Sequence, residues 1–178
     1  MPLLKPTLSF VFTLCLVSLS SHVFSSELPT VGQVELKRYL GTWYEIASFP
    51  APFQKNCVAT TATYTLKENR DIDILNECKD KTLTGKTRTA HGKAWVVDKK
   101  TNSKLKVSFF WPFSGNYWII DLGKNYDYAV VSEPRLKYLW ILSRARHMEQ
   151  PIYDKILTKL RKLGFDLSRL HLTLQPST

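Results

Sequence analysis

Eight short segments of strand character follow one another between residues 42 and 144, and no helical period interrupts them. They cover residues 42–49, 58–66, 72–78, 86–97, 104–111, 116–122, 126–132 and 138–144. Turn signals cut them apart: Pro50-Ala51-Pro52, the polar run Lys67 to Asp71, Pro112, and Glu133-Pro134. The third segment shows period two, with Ile72, Ile74 and Asn76 on one side and Asp73, Leu75 and Glu77 on the other. Consecutive strands on short links pair with their neighbours, which gives an antiparallel up-and-down meander. An open meander of eight strands leaves two unpaired edges, and closing it into a barrel removes them. The fold class expected is all-β, an eight-stranded antiparallel barrel.

The period changes after residue 150. Pro151 sits where a first helical turn tolerates it. Ile152, Ile156, Leu157, Leu160 and Leu163 then recur at helical spacing, opposite Lys155, Lys159, Arg161 and Lys162, and Gly164 supplies the stop. One amphipathic helix of this size packs on the outside of the barrel. The alternating residues 170–174 are read as a short added strand.

Several strands are apolar on both faces. In the eighth, Tyr138, Trp140 and Leu142 alternate with Leu139 and Ile141; in the sixth, Tyr117 and Ile119 alternate with Trp118 and Ile120. Two apolar faces require two apolar environments, and one helix covers only part of the outer one. An eight-stranded barrel has just enough interior for packed side chains or one small ligand. The inner set mixes aromatic rings with the Tyr64 and Tyr117 hydroxyls and Asn76, groups that need partners when buried. Aromatic walls with a few placed polar atoms suit a small-molecule cavity, and a solid core filled by its own side chains is the alternative.

Gly41-Thr42-Trp43-Tyr44 reads as the closure of one end. A short amphipathic turn carrying Leu36, Tyr39 and Leu40 runs into Gly41, which tolerates positive φ, and Trp43 then fills the floor. At the other end, folding the second and third strands on the turn at 67–71 brings Cys57 and Cys78 together, so a disulfide is expected there.

Residues 1–25 read as a signal peptide, with Lys5 as its only charge, an apolar stretch from Leu8 to Leu19, and cleavage after Ser25. Residues 26–178 then form one domain. The alternatives are a retained membrane anchor and lipidation at Cys15, against which the bulky Leu14 argues. The whole chain carries 25 Lys and Arg against 15 Asp and Glu; losing Lys5 leaves 24 against 15, a net charge of +9. The basic residues are dispersed and no nucleic-acid motif accompanies them. A basic surface drawn to anionic lipid or an anionic ligand is the expectation, rather than nucleic-acid binding.

Three ordered stretches resemble the signatures of the lipocalin family: Gly41-Thr42-Trp43-Tyr44 on the first strand, Tyr126-Asp127-Tyr128-Ala129-Val130-Val131 at the sixth turn, and Trp140-Ile141-Leu142-Ser143-Arg144 on the last strand. The chain is similar to the branch that holds bacterial lipocalins and apolipoprotein D, over residues 34–175. The resemblance implies that Arg144 crosses the Trp43 indole and donates to carbonyls of the plugging turn, so that Gly41, Trp43 and Arg144 form a structural closed end. It places the ligand-binding positions at Tyr64, Asn76, Phe109, Tyr117, Trp140 and Leu142, with Phe53 and Trp111 near the mouth. It departs from the bacterial pattern in lacking a convincing lipidation cysteine, and from apolipoprotein D in its Cys57–Cys78 pairing.

The function expected is carriage of a fatty acid, lysophospholipid or similar hydrophobic ligand, without a cofactor, in the bacterial periplasm or cell envelope, with outer-membrane association and peripheral contact with anionic membrane both open. Catalysis is the alternative, but no nucleophile elbow, triad order or metal-ligand spacing occurs, and His91, His147 and His171 are scattered. Haem or pigment binding is a further alternative, for which His91 is the axial candidate within a barrel strand.

Overall fold

A computed structural model describes residues 27–177 of the chain. The leader expected at residues 1–25, with Cys15, lies outside them. The elements run α1 (Leu36–Tyr39), β1 (Gly41–Ser48), β2 (Cys57–Leu66), β3 (Ile72–Asp80), β4 (Thr87–Val96), β5 (Lys104–Phe110), β6 (Phe113–Leu122), β7 (Tyr128–Ser132), β8 (Leu139–Ser143), α2 (Gln150–Lys162) and β9 (His171–Leu172). Each of β1 to β7 pairs antiparallel with its successor, and β8 pairs with β1, which closes an eight-stranded barrel. β9 adds to the outside of β1 through Ala47 and Ser48.

The strand limits differ from the sequence expectation by one to three residues, and two of the shifted starts have a clear local cause. β6 starts at Phe113 rather than 116, because Phe113 pairs back to Phe110 across the tight turn at Trp111-Pro112. β7 starts at Tyr128 rather than 126, because Tyr126 takes a positive φ of 60° in the turn before it. In the middle of β4 the packing requires a glycine: a Cβ on Gly92 would stand 2.7 Å from the Phe109 ring.

The two apolar faces find two environments. The inner face of the barrel holds Trp43, Tyr64, Ile72, Ile74, Ala94, Leu105, Ile119, Ala129, Val131 and Leu142. The outer face of β6 to β8 and β1 buries Trp118, Ile120, Val130, Leu139 and Ile141 under Ile156 and Leu160 of α2, with Phe49 and Phe165. The helix stops at Gly164, whose φ of 86° only glycine adopts without strain. Lys159 of α2 also reaches the barrel, donating to the Ile120 carbonyl at 3.0 Å and to Asp121 at 2.8 Å.

β1 and β2 pair only from Gly41 to Tyr44 and then separate. The C-terminal segment fills the split. Thr173 N–H donates to the Ile46 carbonyl and Ala59 N–H to the Leu174 carbonyl. The buried Gln175 side chain donates to the carbonyls of Glu45 and Thr60, one on each strand, at 2.8 and 3.0 Å. A side cleft of about 680 Å³ remains between the loop at 50–58 and residues 171–174.

Candidate ligand-binding site

The closed end is built from α1 and the start of β1. Gly41 takes a φ of 88° and turns the chain into the strand. Trp43 is fully buried, and its indole N–H donates to the Tyr39 carbonyl at 2.8 Å. The Arg144 guanidinium lies 3.7 Å from the centre of the Trp43 ring. It donates to the carbonyls of Arg38, Leu40 and Thr42 at 2.8, 2.7 and 2.8 Å, and to that of Tyr39 at 3.2 Å. Arg38 in turn stacks on Tyr126, 4.1 Å from its ring centre, and the Tyr126 hydroxyl accepts the Glu35 N–H at 2.8 Å. One cation therefore satisfies the turn's orphan acceptors and covers the outer face of the floor. The structure thus places Gly41, Trp43 and Arg144 together at one end of the barrel.

Above this floor the lumen begins. Tyr64, Asn76, Phe109, Tyr117, Trp140 and Leu142 all fall on the inner face, by direct packing against the inner cluster or, for Asn76, by alternation with Ile72 and Ile74. Asn76, Phe109, Tyr117 and Trp140 are only partly buried, and Ala90, opposite Asn76 on β4, is exposed. Side chains that face inward yet meet solvent mark an interior open toward the mouth rather than a solid core.

A polar cluster occupies the deep part of the lumen. The Tyr117 hydroxyl is 2.7 Å from that of Tyr39 and 3.0 Å from that of Tyr64. Burial pushes the Tyr64 phenol up to about 12, and holds Tyr39 and Tyr117 well above the ordinary tyrosine range. All three are therefore neutral at physiological pH. Tyr39 was assigned only to the plugging turn by the sequence. Its hydroxyl joins the lumen because the turn carries its ring across the barrel end, and helical spacing carries no signal for that.

Nearer the mouth, Trp140 donates its indole N–H to Gln54 at 2.8 Å, and Gln54 donates to the buried Glu45 carboxylate at 2.8 Å. Ser48 and Thr173 also donate to that carboxylate, at 2.9 and 2.6 Å. This relay fixes the Trp140 ring, which stacks on Tyr138 at 5.9 Å with Phe53 6.5 Å away. Neither Gln54 nor Glu45 was singled out from the sequence, since their meeting depends on the separation of β1 from β2. The mouth itself is aromatic: Phe53, Phe110, Trp111 and Phe113 are 61, 80, 77 and 77 % exposed.

Cys57 and Cys78 are bonded at this open end, with Cα atoms 5.4 Å apart. They are not directly opposite; Cys57 pairs with Asp80, and Cys78 faces a bulge between Val58 and Thr61. His91 pairs with Leu75, on the outer face of the barrel, and is exposed. It points away from the lumen, so it is removed as an axial haem ligand.

Residues 34–175 match the family model described as a lipocalin-like domain. The chain belongs to the lipocalin family. It is 40% identical over 161 residues to temperature-induced lipocalin-1 of Arabidopsis thaliana, covering 85% of each chain. It is 39% identical over 159 residues to the outer membrane lipoprotein Blc of Vibrio cholerae, covering 88% of this chain and 92% of that one. Insecticyanin from the tobacco hornworm Manduca sexta superposes with a TM-score of 0.69 at 20% identity, covering 85% of this chain and 86% of that one, and shares the fold. Membership of this family supports binding of a small hydrophobic ligand in the barrel.

Proposed function

We propose that this lipocalin is a carrier that takes up a single-chain lipid, such as a fatty acid, lysophospholipid or similar amphiphile, through the aromatic mouth and holds it in the lumen. The observation that carries the reading is a lumen whose aromatic walls remain open to solvent at one end while the other end is sealed by Trp43 and Arg144. Each methylene moved from water into such a wall contributes about 0.8 kcal/mol, so a long chain binds tightly without many specific contacts. Tyr64, Asn76, Phe109, Tyr117, Trp140 and Leu142 are the proposed contacts.

The mouth suits loading from a lipid surface. Phe110, Trp111 and Phe113 project at the β5–β6 turn, and the Lys93 ammonium lies 5.2 Å from the Trp111 ring. Lys55, Lys79, Lys81, Lys86 and Lys137 lie in or beside the other elements at this end. Exposed aromatics ringed by cations favour an anionic interface. The proposed location is outside the cytoplasm, supported by the disulfide and by the apolar leader expected from the sequence. Similar relatives come from a plant and from bacteria, so the bacterial envelope is one candidate setting.

The test is lipid binding followed by tryptophan fluorescence, with Trp140→Ala beside the parent protein. Removing the ring is expected to weaken binding of a lysophospholipid at least tenfold, because it takes away both a wall and its anchored stacking partner. Equal affinity in the two proteins takes Trp140 out of the site, and no binding to either overturns the carrier reading.

A further inference from the structure

The deep polar cluster has more hydrogen-bonding capacity than the protein uses. Tyr39, Tyr64 and Tyr117 bring three O–H protons, but only two contacts join them, Tyr39 to Tyr117 and Tyr64 to Tyr117. No other hydrogen bond involves these hydroxyls among the described residues, so at least one O–H proton stays unpaired however the three rotate. The Asn76 side-chain oxygen, also on the inner wall, is buried and accepts from no group among the described residues. Tyr64 pairs with Ile74, so Asn76 is its diagonal neighbour on β3, about 7–8 Å away toward the mouth by sheet geometry. A free donor and a free acceptor thus share one region of the lumen.

We propose that the ligand's buried end carries an uncharged group that both accepts and donates a hydrogen bond, most simply a hydroxyl, and that the tyrosine cluster and Asn76 recognise it. The inference rests on the carrier reading and narrows its ligand class to hydroxylated chains or ring systems. A methyl terminus placed there leaves the spare phenol proton and the Asn76 oxygen both dry and unpaired, a cost that apolar contact only partly offsets. A carboxylate cannot donate to the Asn76 oxygen, and it brings a charge into the dry floor. The cation whose field reaches the phenols, Arg144, stands behind Trp43 and is already committed to carbonyls of the plugging turn. A charged head group therefore belongs at the mouth, among the lysines, and the hydroxyl at the floor.

The experiment titrates the disulfide-bonded protein at neutral pH with three chain-matched probes: 1-decanol, decyl methyl ether and decanoate, read by tryptophan fluorescence and calorimetry. The ether keeps the acceptor and lacks the donor. The alcohol is expected to bind about tenfold more tightly than the ether and than decanoate. Asn76→Leu is expected to close the gap between alcohol and ether by weakening the alcohol alone, and Tyr117→Phe to weaken both. Equal binding of alcohol and ether by the parent protein, or a preference for decanoate, overturns the inference and leaves the carrier reading standing. Failure of all three probes to bind removes both.

Discussion

Arg144 shows how one side chain can serve geometry and electrostatics together. Its planar fork meets several carbonyls of the plugging turn while its face covers the Trp43 indole. Lysine offers a point charge with no fork, so it cannot reproduce that set. Arg144→Ala is expected to cost about 2–4 kcal/mol in urea unfolding, and Arg144→Lys to recover less than half of it. The buried phenols give a prediction with a definite sign. Burial raises the Tyr64 group to about 12 and raises Tyr39 and Tyr117 as well, whereas an unfolded tyrosine ionises near ~10. An acid whose folded pKa is raised favours the folded state below the unfolded pKa, and that stability is lost as pH rises through the folded value. The melting temperature is therefore expected to hold up to about pH 10 and to fall from there toward about pH 12. Tyr117→Phe should make the fall shallower; a fall beginning near neutrality contradicts the assignment to phenols.

At the scale of elements, the split between β1 and β2 is the barrel's weak seam, and the last residues act as its clasp. Gln175 satisfies one carbonyl on each strand from a buried position. Gln175→Ala leaves both without a donor and is expected to cost about 1–3 kcal/mol. Amide exchange should accelerate at Ala59 and Thr173, whose N–H groups close the same seam, and stay unchanged in the β3–β4 pairing. Uniform acceleration across the barrel would mean that the seam does not open by itself. The disulfide sits at the same end and ties β2 to β3 where the bulge at Ala59 interrupts their ladder.

At the scale of the whole molecule, the barrel is polarised along its axis. One end is plugged and hydrogen-bonded, and the other exposes aromatic rings among lysines. Binding to vesicles is expected to require anionic lipid and to weaken as salt rises, because the exposed charges are screened. Replacing both Trp111 and Phe113 by serine should reduce sedimentation with phosphatidylglycerol vesicles at least fivefold, with the fold unchanged by circular dichroism. Equal sedimentation of parent and variant locates the membrane contact elsewhere, or denies it.

The resemblance to lipocalins, and not the periodicity, pointed to Arg144 over Trp43; the sequence pattern by itself determined the eight barrel strands, the single external helix and the inward parity of Tyr64, Asn76 and Tyr117. Those features follow from local period and turn chemistry: a side chain's face is set by counting along its own strand, so Tyr117 and Trp118 separate without knowing their neighbours. The place of both cysteines at the open end of one hairpin also made the Cys57–Cys78 bond legible. The tertiary structure alone decided which polar atoms meet. Tyr117 meets the hydroxyls of Tyr39 and Tyr64 from segments that are far apart in sequence, Gln54 links Trp140 to Glu45, and Gln175 returns from the chain's end to bridge β1 and β2. Each contact depends on barrel closure and on where two paired strands part, and those are set by the packing of the whole sheet rather than by the preference of any one segment.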